Sequence, residues 1–177
     1  MIYVALLRGI NVGGNSIIAM SQLKEVFEKL GFADVRTYIN SGNVIFSTDT
    51  PHAKLAATIE HSIEKALAMP ITVVVRSLPE MKAIAAVVPA SWVNDAEQKT
   101  DVLFLWDQIN TKDVLSQFKL KPEIDNVKYV HGAVVWNVLR KDIGRSGLLK
   151  IVGTPLYKQV SIRNVNTLRK LVALMQS

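Results

Sequence analysis

Four short runs in this chain, Ile2–Leu7 and residues 71–75, 102–106 and 134–139, are apolar on both faces if extended. A strand with period-two alternation buries one face, whereas an unbroken apolar strand buries both. A chain carrying four such strands must cover its sheets on each side. An open sheet face is therefore a poor choice of binding platform.

The segments between these runs give the order of elements. Residues 9–19 form a glycine-containing loop, and a helix follows with Ser21 as its expected N-cap and Met20, Leu23, Val26, Phe27 and Leu30 on one stripe. Strands at 35–39 and 44–47 flank Asn40-Ser41-Gly42-Asn43, which is turn chemistry. Asp49-Thr50-Pro51 opens a helix reaching about Met69, with Pro51 expected at its first helical position. The apolar strand at 71–76 then completes βαββαβ, the split βαβ or ferredoxin-like order.

Residues 79–88 read as a connecting helix and the stretch to residue 99 as a linker. A second, looser βαββαβ follows: strand 101–106, helix 111–118, strands 127–130 and 133–140, short helix 147–152, strand 159–162. A closing helix at 165–175 is expected to bury Val165, Leu168, Val172 and Met175. The expected fold is thus α+β, two ferredoxin-like subdomains in tandem with an extra C-terminal helix. Its parts are 1–78, a connection at 79–99, and 100–177, matched by element order without a visible sequence repeat.

Composition narrows the chemistry. With 49% hydrophobic and 20% charged residues the chain is neither disordered nor fibrous. Mean hydropathy is +0.22, yet no apolar run approaches the ~18 residues of a membrane span. The opening MIYVALLRG has neither a basic n-region nor a cleavage site, so no signal peptide is expected. There is no cysteine, which excludes disulfides, thiolate catalysis and Cys-based metal sites and suits a reducing cytoplasm. The net charge of +6 is unevenly placed. Residues 1–139 sum to −1, and residues 140–177 to +7. A uniformly basic nucleic-acid groove does not fit a body that is near neutral.

Split-βαβ topology sets the end of the first strand beside the start of the third. Arg8-Gly9-Ile10-Asn11 should then meet Asn40-Ser41-Gly42-Asn43 at one rim of the sheet. A guanidinium, amide side chains and glycine-exposed N–H groups there form a candidate anion cradle. The alternative is that these residues tie a loop to a hairpin, since turns demand Asn and Gly anyway. Gly144-Arg145-Ser146-Gly147 is a second candidate of the same kind. Arg163 and Asn164 open the last helix, with Asn164 a natural cap and Asn166 close behind.

Neither glycine segment is a Walker A or a G-x-G-x-x-G fingerprint. His52, His61 and His131 are scattered, and the His61/Glu64 pair lacks the second pair a metal site needs. Asp107 is an isolated acid, and no nucleophile elbow exists. No cofactor, metal or catalytic group is therefore assigned. An RRM would display aromatics on its first and third strands, where this chain has only Tyr3 and Phe46.

YVALLRGINVGG at 3–14, TYINSGNVIF at 37–46 and RNVNT at 163–167 together resemble a bacterial family, domain of unknown function 1697. The resemblance runs from residue 3 to about 170. It implies two ferredoxin-like subdomains packed into one unit, and no established reaction. The family's characteristic positions fall on Arg8, Gly9, Asn11, Gly13, Gly14, Ser41, Gly42, Asn43, Arg163, Asn164, Asn166 and Thr167. Where the family commonly has tryptophan, this chain has Val165, which favours packing over stacking.

The functional expectation is a cytoplasmic protein, monomer or homodimer and without membrane association. It is expected to bind a small anion, a nucleotide or phosphometabolite. The residues expected at that site are Arg8, Asn11, Ser41, Gly42 and Asn43, joined by Arg145, Arg163, Asn164 and Asn166. The alternatives are nucleic-acid contact through residues 140–177 and an interaction or oligomerisation module.

Overall fold

The structure, a computed structural model, describes residues 1–11 and 17–177. Its strands are β1 (Ile2–Leu7), β2 (Ala33–Tyr38), β3 (Asn43–Ser47), β4 (Val73–Ser77), β5 (Gln98–Leu105), β6 (Asn126–Val130), β7 (Ala133–Leu139) and β8 (Val160–Asn164). Its α-helices are α1 (Met20–Lys29), α2 (His52–Leu67), α3 (Leu78–Ala86) and α4 (Val165–Gln176). They form two compact units, Met1–Leu78 with Ala173–Ser177, and Pro79–Val172. Each unit holds a four-stranded antiparallel sheet, ordered β2-β3-β1-β4 in the first and β6-β7-β5-β8 in the second. This is the tandem ferredoxin-like arrangement, with α4 as the added C-terminal helix. No helix among the described residues is long and apolar enough to cross a membrane.

In the first unit α1 and α2 bury Leu23, Val26, Phe27 and Leu55, Ile59, Ile63 against one face of the sheet. The apolar residues of both helices recur every three or four positions, so a single stripe meets Tyr3, Ala5, Leu7, Val44 and Phe46. Phe46 is the hub, stacked on Phe32 at 4.6 Å and edge-on to Phe27 at 5.4 Å. Both helices start differently from expectation. α1 begins at Met20 behind Ala19, without a Ser21 cap, and Pro51 stands at the N-cap of α2 instead of inside it. In neither case does a side chain cap the helix, so packing of the stripe carries these ends.

The second unit departs further. Where helices were expected at 111–118 and 147–152, the chain forms 3-10 helices, Lys112–Gln117 and Gly147–Ile151. These segments are too short to carry an α-helical stripe, and Val114, Leu148 and Ile151 plug the core singly. In α4 the buried apolar residues are Val165, Leu168, Leu171 and Met175, with Leu171 in place of Val172. As the unbroken apolar strands require, both sheet faces are buried. Val4, Leu6, Ile45 and Val74, and in the second sheet Val102, Phe104 and Val135, are all at most 3% exposed although they face away from these cores.

A buried carboxylate compensates for the weak crossovers of the second unit. Asp125 accepts from the Trp136 indole N–H (3.1 Å), the Ser146 hydroxyl, and the backbone N–H groups of Lys121 (2.9 Å) and Gly147 (3.0 Å). One side chain thus joins β7, the turn before β6 and the segment opening at Ser146. Gly147 is required here, because a Cβ would lie 2.3 Å from the Lys119 carbonyl oxygen. Burial pushes the Asp125 pKa up, and the four donors together outweigh it and hold the carboxyl below its ordinary value. Stability from this group is present above the unfolded carboxylate pKa and is lost as pH falls through the lower folded value. Asp125→Asn turns one acceptor into a donor facing N–H and O–H groups. It should destabilise the protein by about 2–4 kcal/mol and flatten the acid limb of stability, as read by denaturant melts between neutral pH and pH 3.

Candidate functional site

The predicted rim forms in the first unit. Leu6 pairs with Asn43 in register, and the Leu7 N–H donates to the Gly42 carbonyl at 2.8 Å. Arg8 comes next, half-buried, with its N–H bonded to the Thr72 carbonyl at 3.0 Å. Gly42 takes φ +77°, and a Cβ there would meet Ile10 at 2.6 Å and Leu7 at 2.9 Å. Only glycine combines that backbone with that approach.

The amides at this rim serve the fold. Asn11 takes φ +53°, and its Nδ2 donates to the carbonyls of Asn40 (2.8 Å) and Ile18 (3.0 Å), while its Oδ1 accepts the Ile18 N–H at 2.8 Å. Asn43 is fully buried and donates to the Tyr38 carbonyl at 2.9 Å and to the Ser41 hydroxyl at 3.0 Å. Asn11 staples the loop to the hairpin, and Asn43 fixes Ser41 at the lip. Gly13 and Gly14 lie outside the described residues.

The residues expected from the second half are each engaged within their own unit. Arg145 is exposed and paired with Asp142 at 3.3 Å, while its neighbours Ser146 and Gly147 hold Asp125. Arg163 is buried in β8 and donates to the Ile162 carbonyl (2.8 Å) and the Ser161 hydroxyl (3.2 Å). Burial pushes its pKa down to about 10, which leaves it charged at neutral pH. Asn164 caps α4, accepting the Thr167 N–H at 2.9 Å, and Asn166 donates to the Asn94 carbonyl at 3.1 Å. Val165 is fully buried, as a packing role requires. Asp107 is exposed at the start of a 3-10 helix, and His61 and Glu64 lie on the exposed side of α2.

A correspondence between the units went unseen in the sequence. The Leu105 N–H donates to Gly132, as Leu7 does to Gly42, and the Trp106 N–H donates to Gln159, as Arg8 does to Thr72. Arg76 pairs with Val4 and Arg163 with Val102, and each arginine bonds the carbonyl of the preceding residue at 2.8 Å. Asn110 repeats the part of Asn11, its Oδ1 accepting the Gly132 N–H at 2.7 Å. The signal was short: Arg76-Ser77-Leu78 and Arg163-Asn164-Val165, each leading from a fourth strand into a helix.

A cleft of about 560 Å³ opens elsewhere in the first unit, lined by Lys24, Glu28, Arg36 and Ser47 among others. In it Lys24 pairs with Glu28 at 3.6 Å and Arg36 donates to the Leu174 carbonyl at 2.8 Å, and Asp34 is exposed on its wall. Gly42→Ala should cost about 1–2 kcal/mol for the left-handed backbone and about 1–3 kcal/mol more for overpacking against Ile10 and Leu7. Gly31→Ala, at φ +78° with nothing within 4 Å, should cost the backbone part alone. Chemical denaturation of the two variants measures the difference, and equal losses would mean that the rim is loosely packed.

The comparisons with known proteins agree with this architecture. The chain is similar over 98% of its length, and 98% of that chain's, to the solved structure of SP0830, a conserved bacterial protein from Streptococcus pneumoniae. The two share 26% sequence identity with a TM-score of 0.84. No curated protein matches. The family model described as protein of unknown function (DUF1697) matches residues 1–136, which takes in β1, the rim hairpin and the second unit as far as Trp136. By that match the chain belongs to the DUF1697 family.

Proposed function

We propose that the rim of the first unit binds a small anionic ligand, a nucleotide or phosphorylated metabolite, with Arg8 supplying the charge. The observation that carries this is the placement of Arg8. It follows Leu7 directly, and Leu7 is tied to the hairpin glycine, so a guanidinium starts one residue from the lip that presents Ser41. A guanidinium offers a planar set of donors matched to phosphate and carboxylate oxygens. Asn11, Gly42 and Asn43 support the site by shaping it. The absence of cysteine supports a reducing cytoplasm as its setting.

Nucleic-acid contact through residues 140–177 has less support. Of the guanidiniums in that segment, Arg163 is buried, Arg145 is ion-paired, Arg140 bonds the Asp95 carbonyl, and Arg169 bonds the carbonyls of Pro89 and Trp92. The arginines of the segment are thus engaged by the fold, and its exposed positive charge is left to Lys141, Lys150, Lys158 and Lys170.

The test is calorimetric titration with inorganic phosphate, nucleoside mono- and triphosphates and a sugar phosphate, paired with thermal melts. Arg8→Gln should weaken the best binder by about tenfold to a hundredfold, the loss of one or two charge-assisted hydrogen bonds. The melting temperature should stay within about 2 °C. A lowered melting temperature with unchanged affinity would make Arg8 a fold residue and end the proposal.

A further inference from the structure

The hydrogen bonds shared by the two units separate what this fold requires from what the first unit alone carries. In the second unit the hairpin closes between Val130 and Ala133, with only His131 and Gly132 in the turn. Gly132 takes φ +92°, receives the Leu105 N–H on its carbonyl and donates its own N–H to Asn110. Two residues therefore suffice to close the rim and staple the loop to it. In the first unit the closing pair is Tyr38 and Asn43, with residues 39–42 between them. Gly42 does the work of Gly132. The first hairpin is two residues longer, and Ile39, Asn40 and Ser41 stand where the second unit has His131 alone.

Ile39 is a β-branched residue at φ +48°, and it is 48% exposed. A β-branched side chain in left-handed backbone is a genuine outlier, and exposing it gains nothing in return. Asparagine or glycine would satisfy the turn at lower cost. Since the second unit closes without this residue, neither the strain nor the exposed apolar surface is explained by folding.

We infer that the lengthened hairpin is a specificity device, with Ile39 an apolar lip beside the anion subsite of Arg8. This rests on the anion-binding rim proposed above and deepens it. The ligand is an anion carried on an apolar or planar body, such as an aryl or nucleoside phosphate, in preference to a bare inorganic anion. Arg8 and Ser41 take the charged end, and Ile39 covers the body. Trp106, at the place of Arg8 in the second unit, provides no guanidinium, so one ligand binds per chain.

The test uses phenyl phosphate and inorganic phosphate as probes, titrated into the full-length protein and its Ile39→Asn variant. Asparagine tolerates the left-handed backbone and removes the apolar surface. Wild type should bind phenyl phosphate about tenfold or more tightly than inorganic phosphate, with one site per chain. Ile39→Asn should weaken phenyl phosphate about fivefold to tenfold, leave inorganic phosphate unchanged, and melt at or above the wild-type temperature. Failure of both probes to bind wild type overturns the anion site and this inference with it. Binding of both probes with a preference unaffected by Ile39→Asn overturns the lip alone. A variant that melts below wild type shows that the fold needs Ile39, and overturns the inference as well.

Discussion

One backbone hydrogen bond, made twice, sets the geometry at each sheet rim: Leu7 to Gly42 in the first unit and Leu105 to Gly132 in the second. In each unit the last residue of the first strand donates to a glycine in left-handed backbone, at φ +77° and +92°. That bond ends the antiparallel ladder between the two central strands and fixes what comes next. In one unit the next residue is Arg8, in the other Trp106. An asparagine a few residues on then ties the outgoing loop to the same hairpin, Asn11 through the Asn40 carbonyl and Asn110 through the Gly132 N–H. A site built there stands on the two central strands of the sheet.

This economy explains where the polar residues of the chain go. Asparagine, serine and arginine are dense at the motifs at 8–11, 40–43 and 163–167, and most of their hydrogen bonds satisfy backbone groups. Asn43 and Arg163 are buried and bond carbonyls, Asn164 caps a helix, and Asn166 and Arg169 hold the linker carbonyls of Asn94, Pro89 and Trp92. Buried carbonyls without partners are costly. A chain whose second-unit crossovers are 3-10 turns has more of them to satisfy than one built on long helices, and side chains fill the gap. Asp125 gathers four donors for the same reason.

Much of the fold was legible because periodicity and turn chemistry report it directly. The apolar run of β1, the Asn-Ser-Gly-Asn turn and the helix stripes give βαββαβ, and that topology alone brings Leu6 to Asn43. The helix starts were misread because capping is a local preference, and the packing of Leu23 and Leu55 decided it instead. The crossovers of the second unit were read as α-helices because short apolar clusters such as Leu148 to Ile151 do not distinguish a 3-10 turn from a helix. Asp125 gave no signal, since an aspartate in a polar turn looks the same whether it faces water or four donors. The correspondence of the units was hidden for a related reason. It lies mostly in register and backbone bonds, and the side chains that repeat, Asn11 with Asn110 and Arg76 with Arg163, stand in otherwise dissimilar sequence. The rim residues were found together, yet their division into fold and site needed the second unit as a control.

Native-state hydrogen exchange at the Leu7 and Leu105 amides tests this arrangement most directly. If the paired bonds to Gly42 and Gly132 anchor the two rims, both amides should exchange only through global unfolding, with the protection and denaturant dependence of the sheet cores. Exchange of the Leu7 amide through local opening, at a rate insensitive to denaturant, would mean that the first rim is not held by this bond. It would then not be the rigid base on which an anion site at Arg8 depends.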